Sequence, residues 1–373
     1  MLALAGVGAA FALGVFDGEQ HAVDANVVES VSDADLVSSE DAVAASDALE
    51  EAQAAAEEKA AAEAQAAAEK EAQELEARPY RSSNVTLASG TAEINLFSAW
   101  EETSQTAEGE SVAAVQAALD AFRERGYDAG FVVLDLTTGK GLGCNADTRF
   151  FTASTIKVPY IAFMMERCLD TGTLSPDETV CEYESIRYSG TGVMYYDDIV
   201  EYPLATVIDN TILYSDNTGY ALLRELYSGL GWSEWVTAAG VDYSALGAQW
   251  YPYCSARDLA KFWLAIGTYF EEGGENAAHL EELLGSTEIS FLRQTLGERA
   301  AVTAKAGFEI NSDLTPGMAS LNDAGFVTGE AGTYLVAIMS NADYDTQYYR
   351  DNEVLITNLI AALDAAHAEL LAE

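Results

Sequence analysis

Phe150-Phe151-Thr152-Ala153-Ser154-Thr155-Ile156-Lys157-Val158-Pro159-Tyr160 is the stretch on which the reading of this chain turns. Its apolar spacing predicts a helix opening near Ser154, with Ile156, Val158, Tyr160, Ile161 and Met164 along it. Residues three apart share a helix face, which brings the Ser154 hydroxyl and the Lys157 ammonium into one cleft. Ser-x-x-Lys by itself is a weak signal, because ordinary serine and lysine usage yields roughly one chance match in a chain this long. The apolar flanks set this copy apart. A lysine among apolar side chains, close to a second positive charge, gives up its proton more readily and serves as a base.

Histidine usage narrows the choice of base. The chain has three histidines. His21 lies in the N-terminal tail, His279 in a Gly/Glu-rich segment read as a loop, and His367 in the last helix, so a Ser-His-Asp triad has no evident histidine. Working outward, Tyr214-Ser215-Asp216-Asn217-Thr218 falls between two helical segments, where a short turn projects Ser215 and Asn217 into a common cleft. Further on, Lys305-Ala306-Gly307 ends a strand, and Gly307 permits close approach of a ligand to the backbone.

Ser154-x-x-Lys157, Ser215-Asp216-Asn217 and Lys305-Ala306-Gly307, in that order, resemble the Ser-x-x-Lys, Ser-Asp-Asn and Lys-Thr-Gly set of class A β-lactamases and penicillin-binding proteins. The resemblance extends through Val132-Val-Leu-Asp-Leu-Thr-Thr-Gly-Lys and Asn322-Asp-Ala-Gly-Phe-Val, covering roughly Gly130 to Met339. It implies that Ser154 attacks a carbonyl and becomes acylated, with Lys157 helping to remove its proton. It further implies that Ser215 relays a proton to the leaving nitrogen beside Lys305, which attracts a substrate carboxylate. Asn217 then binds the substrate amide, and the main-chain amides of Ser154 and Phe308 form the oxyanion hole next to Gly307. No cofactor or metal is implied.

Two positions depart from that pattern. The Glu-x-x-Leu-Asn segment, whose glutamate activates the deacylating water, is absent. Glu234 comes too early, and the segment Val241-Asp-Tyr-Ser-Ala-Leu-Gly-Ala-Gln-Trp-Tyr-Pro-Tyr-Cys254 offers only Asp242 as a substitute. Ala306 stands where the family has Thr or Ser, a hydroxyl that helps hold the substrate carboxylate. The expectation is a class A β-lactamase-like serine hydrolase that is acylated by a β-lactam amide and released slowly. One alternative is a penicillin-binding-protein-like D-alanyl-D-alanine peptidase acting on peptidoglycan. Another is a non-catalytic module that binds cell-wall peptides or a partner. The expected partner is a small β-lactam or a peptidoglycan peptide, with the chain a monomer.

Composition sets the boundaries. The 373 residues carry a formal charge of -43, and no Lys/Arg cluster offsets it, which excludes nucleic acid and anionic lipid headgroups as partners. Met1 to Phe16 is an apolar run without a preceding Lys or Arg, and residues 1–18 read as a signal peptide or membrane anchor. This predicts an extracellular or cell-surface protein exported through that segment, which is also its only membrane contact. Residues 19–95 read as an acidic, low-complexity stalk and linker, helical over about 41–77, where Glu51-Ala-Gln-Ala-Ala-Ala-Glu-Glu is echoed from Glu63. Among Cys144, Cys168, Cys181 and Cys254 the placing around a helix end favours a Cys168–Cys181 disulfide, with four free thiols as the alternative.

Residues 96–373 read as the folded serine hydrolase domain. A helix over Glu110 to Arg125 precedes a strand from Gly130 and a hairpin at Gly139 and Gly141. Helical segments fill the middle (Tyr202 to Leu213, Gly219 to Leu230, Ala256 to Gly267), and strands return from Ala300, Met318 and Gly332 before a final helix over Asn352 to Leu371. Strands at both ends with helices between predict an α+β, β-lactamase-like fold. Its antiparallel sheet is flanked by helices, with an all-helical lobe beside it and the helical stalk in front. Trp232, Trp235, Trp250 and Trp263 read as packing residues of that lobe.

Overall fold

Strand patterns that are apolar without alternation, such as Phe131-Val-Val-Leu134, arise where a strand is covered on both faces. The computed structural model describes Lys59 and residues 85–247, 249–344 and 351–372. Every element below lies in the unit Gln73–Glu373. Strands β1 (Asn95–Ser98) and β2 (Thr103–Thr106) form a hairpin ahead of helix α1 (Glu110–Glu124). Strands β3 (Ala129–Asp135), β4 (Lys140–Cys144) and β5 (Arg149–Phe151) lead into a tight 3-10 turn, Ala153–Ile156, and helix α2 (Lys157–Met164).

The middle of the chain carries β6 (Thr179–Cys181), β7 (Glu201–Pro203), α3 (Leu204–Leu213), α4 (Asn217–Tyr227), α5 (Trp232–Ala238) and α6 (Tyr243–Leu246). It continues through β8 (Tyr253–Ser255), α7 (Ala256–Glu272), α8 (Glu275–Gly285) and α9 (Phe291–Leu296). Strands β9 (Ala301–Glu309), β10 (Ser320–Gly329) and β11 (Gly332–Ser340) precede the last helix, α10 (Glu353–Ala366).

The main sheet has seven strands in the order β2-β1-β4-β3-β11-β10-β9, all neighbours antiparallel. The early hairpin joins the late strands through β3 and β11, with Val132 opposite Ala337 and Val133 opposite Val336. This is the α+β architecture the sequence predicts. Side chains alternate between two cores. Val132 and Leu134 face the helical lobe, while Phe131 and Val133 face α1 and α10. Burial on both faces hides the two-residue period that a half-buried strand displays. Trp232, Trp235 and Trp263 are buried in the lobe, and Trp250 is partly buried against it.

Several expectations are revised. Export through an N-terminal apolar segment to the cell exterior is not supported. Among the described residues, the helix long and apolar enough to cross a bilayer is Glu353–Leu371, near the opposite end of the chain. Its apolar face is a packing face: Leu355, Ile356, Leu359, Ile360, Leu363 and Leu371 are buried in the second core. The run Met1 to Phe16 and the helix-prone residues of 41–77 other than Lys59 lie outside the described residues. All four cysteines are free, Cys181 exposed on β6 and the other three buried, so Cys168 and Cys181 form no disulfide. His279 lies in α8 rather than in a loop, 2.8 Å from an Asp209 oxygen. Val85 and Ala88, within the stretch read as a linker, are buried, and the Arg257 guanidinium donates to both their carbonyls.

Candidate active site

The end of β5 is paired with β8, and the chain then turns sharply through Ala153, whose φ of 43° lies in the left-handed region that a side chain disfavours. The turn is held from below. Asn322 on β10 donates to the carbonyls of Phe151 and Thr152, at 2.9 and 3.3 Å. Thr152 donates to the Pro252 carbonyl through both its amide and its hydroxyl. Ser154 is thereby fixed in the 3-10 turn and partly exposed, while Lys157 begins α2 with no accessible surface.

Strand β9 runs against this turn, and it can do so only with glycine at 307. A Cβ there would stand 2.6 Å from the Thr152 carbonyl oxygen, 2.6 Å from the Thr155 nitrogen and 2.9 Å from the Ser154 nitrogen. Each is a rigid backbone atom, so any side chain at 307 pushes the strand off the turn. The absence of a Cβ brings the Gly307-Phe308 backbone beside the Ser154 amide.

Four of the anticipated residues form one hydrogen-bonded cluster. The Lys157 amine donates to the Ser215 carbonyl at 2.6 Å and to the Asn217 side-chain oxygen at 2.8 Å, and it lies 3.3 Å from Ser215 Oγ. The Lys305 amine reaches the same Ser215 Oγ at 3.0 Å and the Ala306 carbonyl at 3.1 Å. Ser154 stands outside this cluster, since its hydroxyl enters no hydrogen bond among the described residues. It lines, with Asn217 and Phe308, a cleft of about 530 Å³.

Burial controls both amines. Lys157 is held well below the ordinary lysine range, first by desolvation and then by the charge of Lys305, with Asp216 acting the other way. Lys305 is lowered to about 8, by burial first and in part by Arg293, against the opposing charges of Asp323 and Glu288. Charge in so dry a setting is costly unless it is compensated. Asp323, buried behind Lys305, is itself pushed up to about 6 by desolvation, although the Leu292 amide and Ser290 hydroxyl donate to it.

Sequence reasoning did not single out Asp216, Thr191, Tyr251, Asn322 or Asp323 for a role in the site. Asp216 caps α4 through the Gly219 amide and accepts from the Val193 and Met194 amides, which ties the 187–200 loop to the cleft. Thr191 from that loop donates to the Ser215 carbonyl at 2.6 Å. Ser215 itself has φ 55°, a second non-glycine residue in the left-handed region at this site. The Tyr251 hydroxyl donates to Asn217 at 3.1 Å, and its ring lies 5.8 Å from the Lys157 nitrogen. Burial holds that phenol protonated, well above its ordinary range. Only proximity in the fold gives these residues a place in the site; in the sequence they are scattered, except that Asp216 sits inside a motif and Asn322-Asp323 inside the extended resemblance.

A family model described as the beta-lactamase enzyme family matches residues 111–365. The chain belongs to that family. Solved structures give the same fold. A mutant of PBP-A, solved as an acyl-enzyme complex with penicillin-G, is 22% identical, with 69% of this chain and 97% of that one covered at a TM-score of 0.57. A β-lactamase from Sphaerobacter thermophilus is 22% identical, with 69% and 96% covered at 0.55. A β-lactamase from Chitinophaga pinensis is 20% identical, with 69% and 100% covered at 0.56. No curated protein matches the chain.

Family membership makes the two departures concrete. Asp242 is exposed and caps α6, accepting from the Ser244 amide and hydroxyl at 2.9 and 2.6 Å. Glu234 is exposed on α5. Neither lines the cleft, whereas Tyr251 does. Ala306 is buried on β9 with its methyl group in the second core, and it offers the cleft no hydroxyl. No group of three or more His, Cys, Asp or Glu residues suited to a metal occurs among the described residues.

Proposed function

We propose that this chain is an acyl-enzyme-forming serine hydrolase whose nucleophile is Ser154 and whose base is Lys157. The observation that carries the reading is the convergence of two buried amines on one serine hydroxyl: Lys157 and Lys305 both contact Ser215 Oγ. A neutral Lys157 accepts the Ser154 proton as the hydroxyl attacks a β-lactam carbonyl. The proton passes to Ser215 and on to the leaving nitrogen, with the Lys305 ammonium stabilising the negative charge that develops there. The amides of Ser154 and Phe308 receive the oxyanion, a role their closeness across Gly307 supports. Asn217 holds Lys157 in place and meets the substrate amide.

Release of the acyl group is slow in this reading, because Glu234 and Asp242 lie away from the cleft and Tyr251 is held as a neutral phenol. That favours behaviour like a penicillin-binding protein, with a D-alanyl-D-alanine peptide as the natural acyl donor, over rapid β-lactam turnover.

Intact-mass analysis after exposure to penicillin G and to a D-alanyl-D-alanine peptide tests both parts. The expected result is a persistent penicillin adduct on the wild type and none on Ser154→Ala. A wild type that neither donor nor a simple thioester acylates would overturn the acyl-enzyme reading and leave a binding module. Rapid penicillin hydrolysis without an accumulating adduct would favour a β-lactamase.

A further inference from the structure

Among the residues lining the cleft in front of Ser154, Glu309 is the one with a charged side chain. It follows Phe308 on β9, an edge strand of the main sheet, and is half-buried. Its carboxylate accepts from the Ile310 amide at 2.9 Å, and none of the ion pairs among the described residues includes it. Partial desolvation raises its pKa, the Ile310 amide offsetting part of the effect. A carboxylate placed in this way gains from a cation supplied by a ligand.

The positive charge of the site is less available. Lys305, its charged amine, is buried and already hydrogen-bonded to Ser215 and the Ala306 carbonyl, while the buried Lys157 is the neutral base. Ala306 adds no hydroxyl for a substrate carboxylate, and the chain as a whole carries -43. A ligand entering the cleft therefore meets a negative wall before it meets a positive floor. An extended acyl donor lying along an edge strand runs past Phe308 towards Glu309.

We infer that Glu309 is a specificity-determining residue that selects acyl donors bearing an ammonium group on the acyl side of the scissile amide, such as a peptide with an amine-bearing side chain. The inference rests on the acyl-enzyme reading above and narrows its substrate class.

The test compares two donors that differ by one charge: Nα-acetyl-lysyl-D-alanyl-D-alanine with its ε-amine free, and the same peptide with that amine acetylated. Acylation of the full chain is followed by adduct mass and D-alanine release, and the ratio of the two rates is taken within each variant. The free amine is favoured about fivefold in the wild type at low salt, the scale of a partly exposed ion pair. Glu309→Gln brings the ratio close to one, and Glu309→Lys inverts it. A wild-type ratio near one, a preference that survives in Glu309→Gln, or a change only in adduct lifetime would overturn the inference. Calorimetric binding of both peptides to Ser154→Ala separates the two readings. A preference there that Glu309→Gln removes sustains the specificity inference even if Ser154 is never acylated. Equal affinities, or no binding of either peptide, overturn it.

Discussion

An amine enclosed like that of Lys157 loses its proton for two separable reasons: its surroundings exclude water, and Lys305 stands nearby as a second positive charge. The distinction is measurable. In the proposed mechanism acylation needs Lys157 neutral, so its rate rises with pH through the depressed Lys157 pKa. It needs Lys305 charged, so the rate falls again as pH passes about 8, where Lys305 loses its proton. In Lys305→Ala the alkaline limb disappears and the acidic limb moves to higher pH, because one of the two causes lowering Lys157 has gone. A pH profile of adduct formation checks both, and an acidic limb unmoved in Lys305→Ala would contradict the coupling. The motif residues were legible in the sequence because each motif is local. Asp323, which sustains the Lys305 charge from β10, touches the site only through sheet pairing with Ala306.

Elements hold the site through their ends. The 3-10 turn carrying Ser154, the cap of α4 and the end of β9 meet because Asn322, Asp216 and Gly307 fasten them. The last helix is fastened similarly. His367 Nε2 lies 2.7 Å from Asp135 Oδ2 with both side chains buried, and the Tyr334 ring stacks on the imidazole at 4.0 Å. The other Asp135 oxygen accepts from the Thr137 and Thr138 amides at the β3–β4 turn, so one carboxylate links the chain just past α10 to the sheet. His367→Ala leaves a buried oxygen without its donor and lowers stability by about 1–3 kcal/mol, read by urea denaturation. Penicillin labelling of the folded variant persists, since this pair lies in the core on the far side of the sheet from the lobe. Sequence reading gave His367 no partner, because Asp135 is 232 residues away. The hairpin β1–β2 was missed for a different reason: Thr103–Thr106 is exposed throughout and carries no apolar alternation.

At the scale of the whole molecule, a formal charge of -43 opposes the approach of an anion such as penicillin. If Ser154 is acylated as proposed, the second-order rate with penicillin G rises as salt is added, most steeply while the Debye length shortens from about 30 to about 10 Å. A rate indifferent to salt would mean that local charges at the cleft outweigh the field of the chain. The same total bears little on the fold, because most acidic side chains among the described residues are exposed and the core is apolar on both faces of the sheet.

The amino-acid sequence by itself determined the α+β class, the order of the sheet-forming segments and the three motifs, since periodicity and short-range spacing are properties of neighbouring residues. The scarcity of histidine, three in the chain and none beside a motif serine, also argued against the commonest base on composition and position alone. What only the tertiary structure decided depends on distance in space. Ser215 alone, and not Ser154, receives both lysine amines. Asp242 turns outward as a helix cap, whereas Tyr251 lines the cleft. Burial, which sets the charge state of Lys157 and Lys305, is a property of the packed lobe and sheet together, and no stretch of sequence carries it alone.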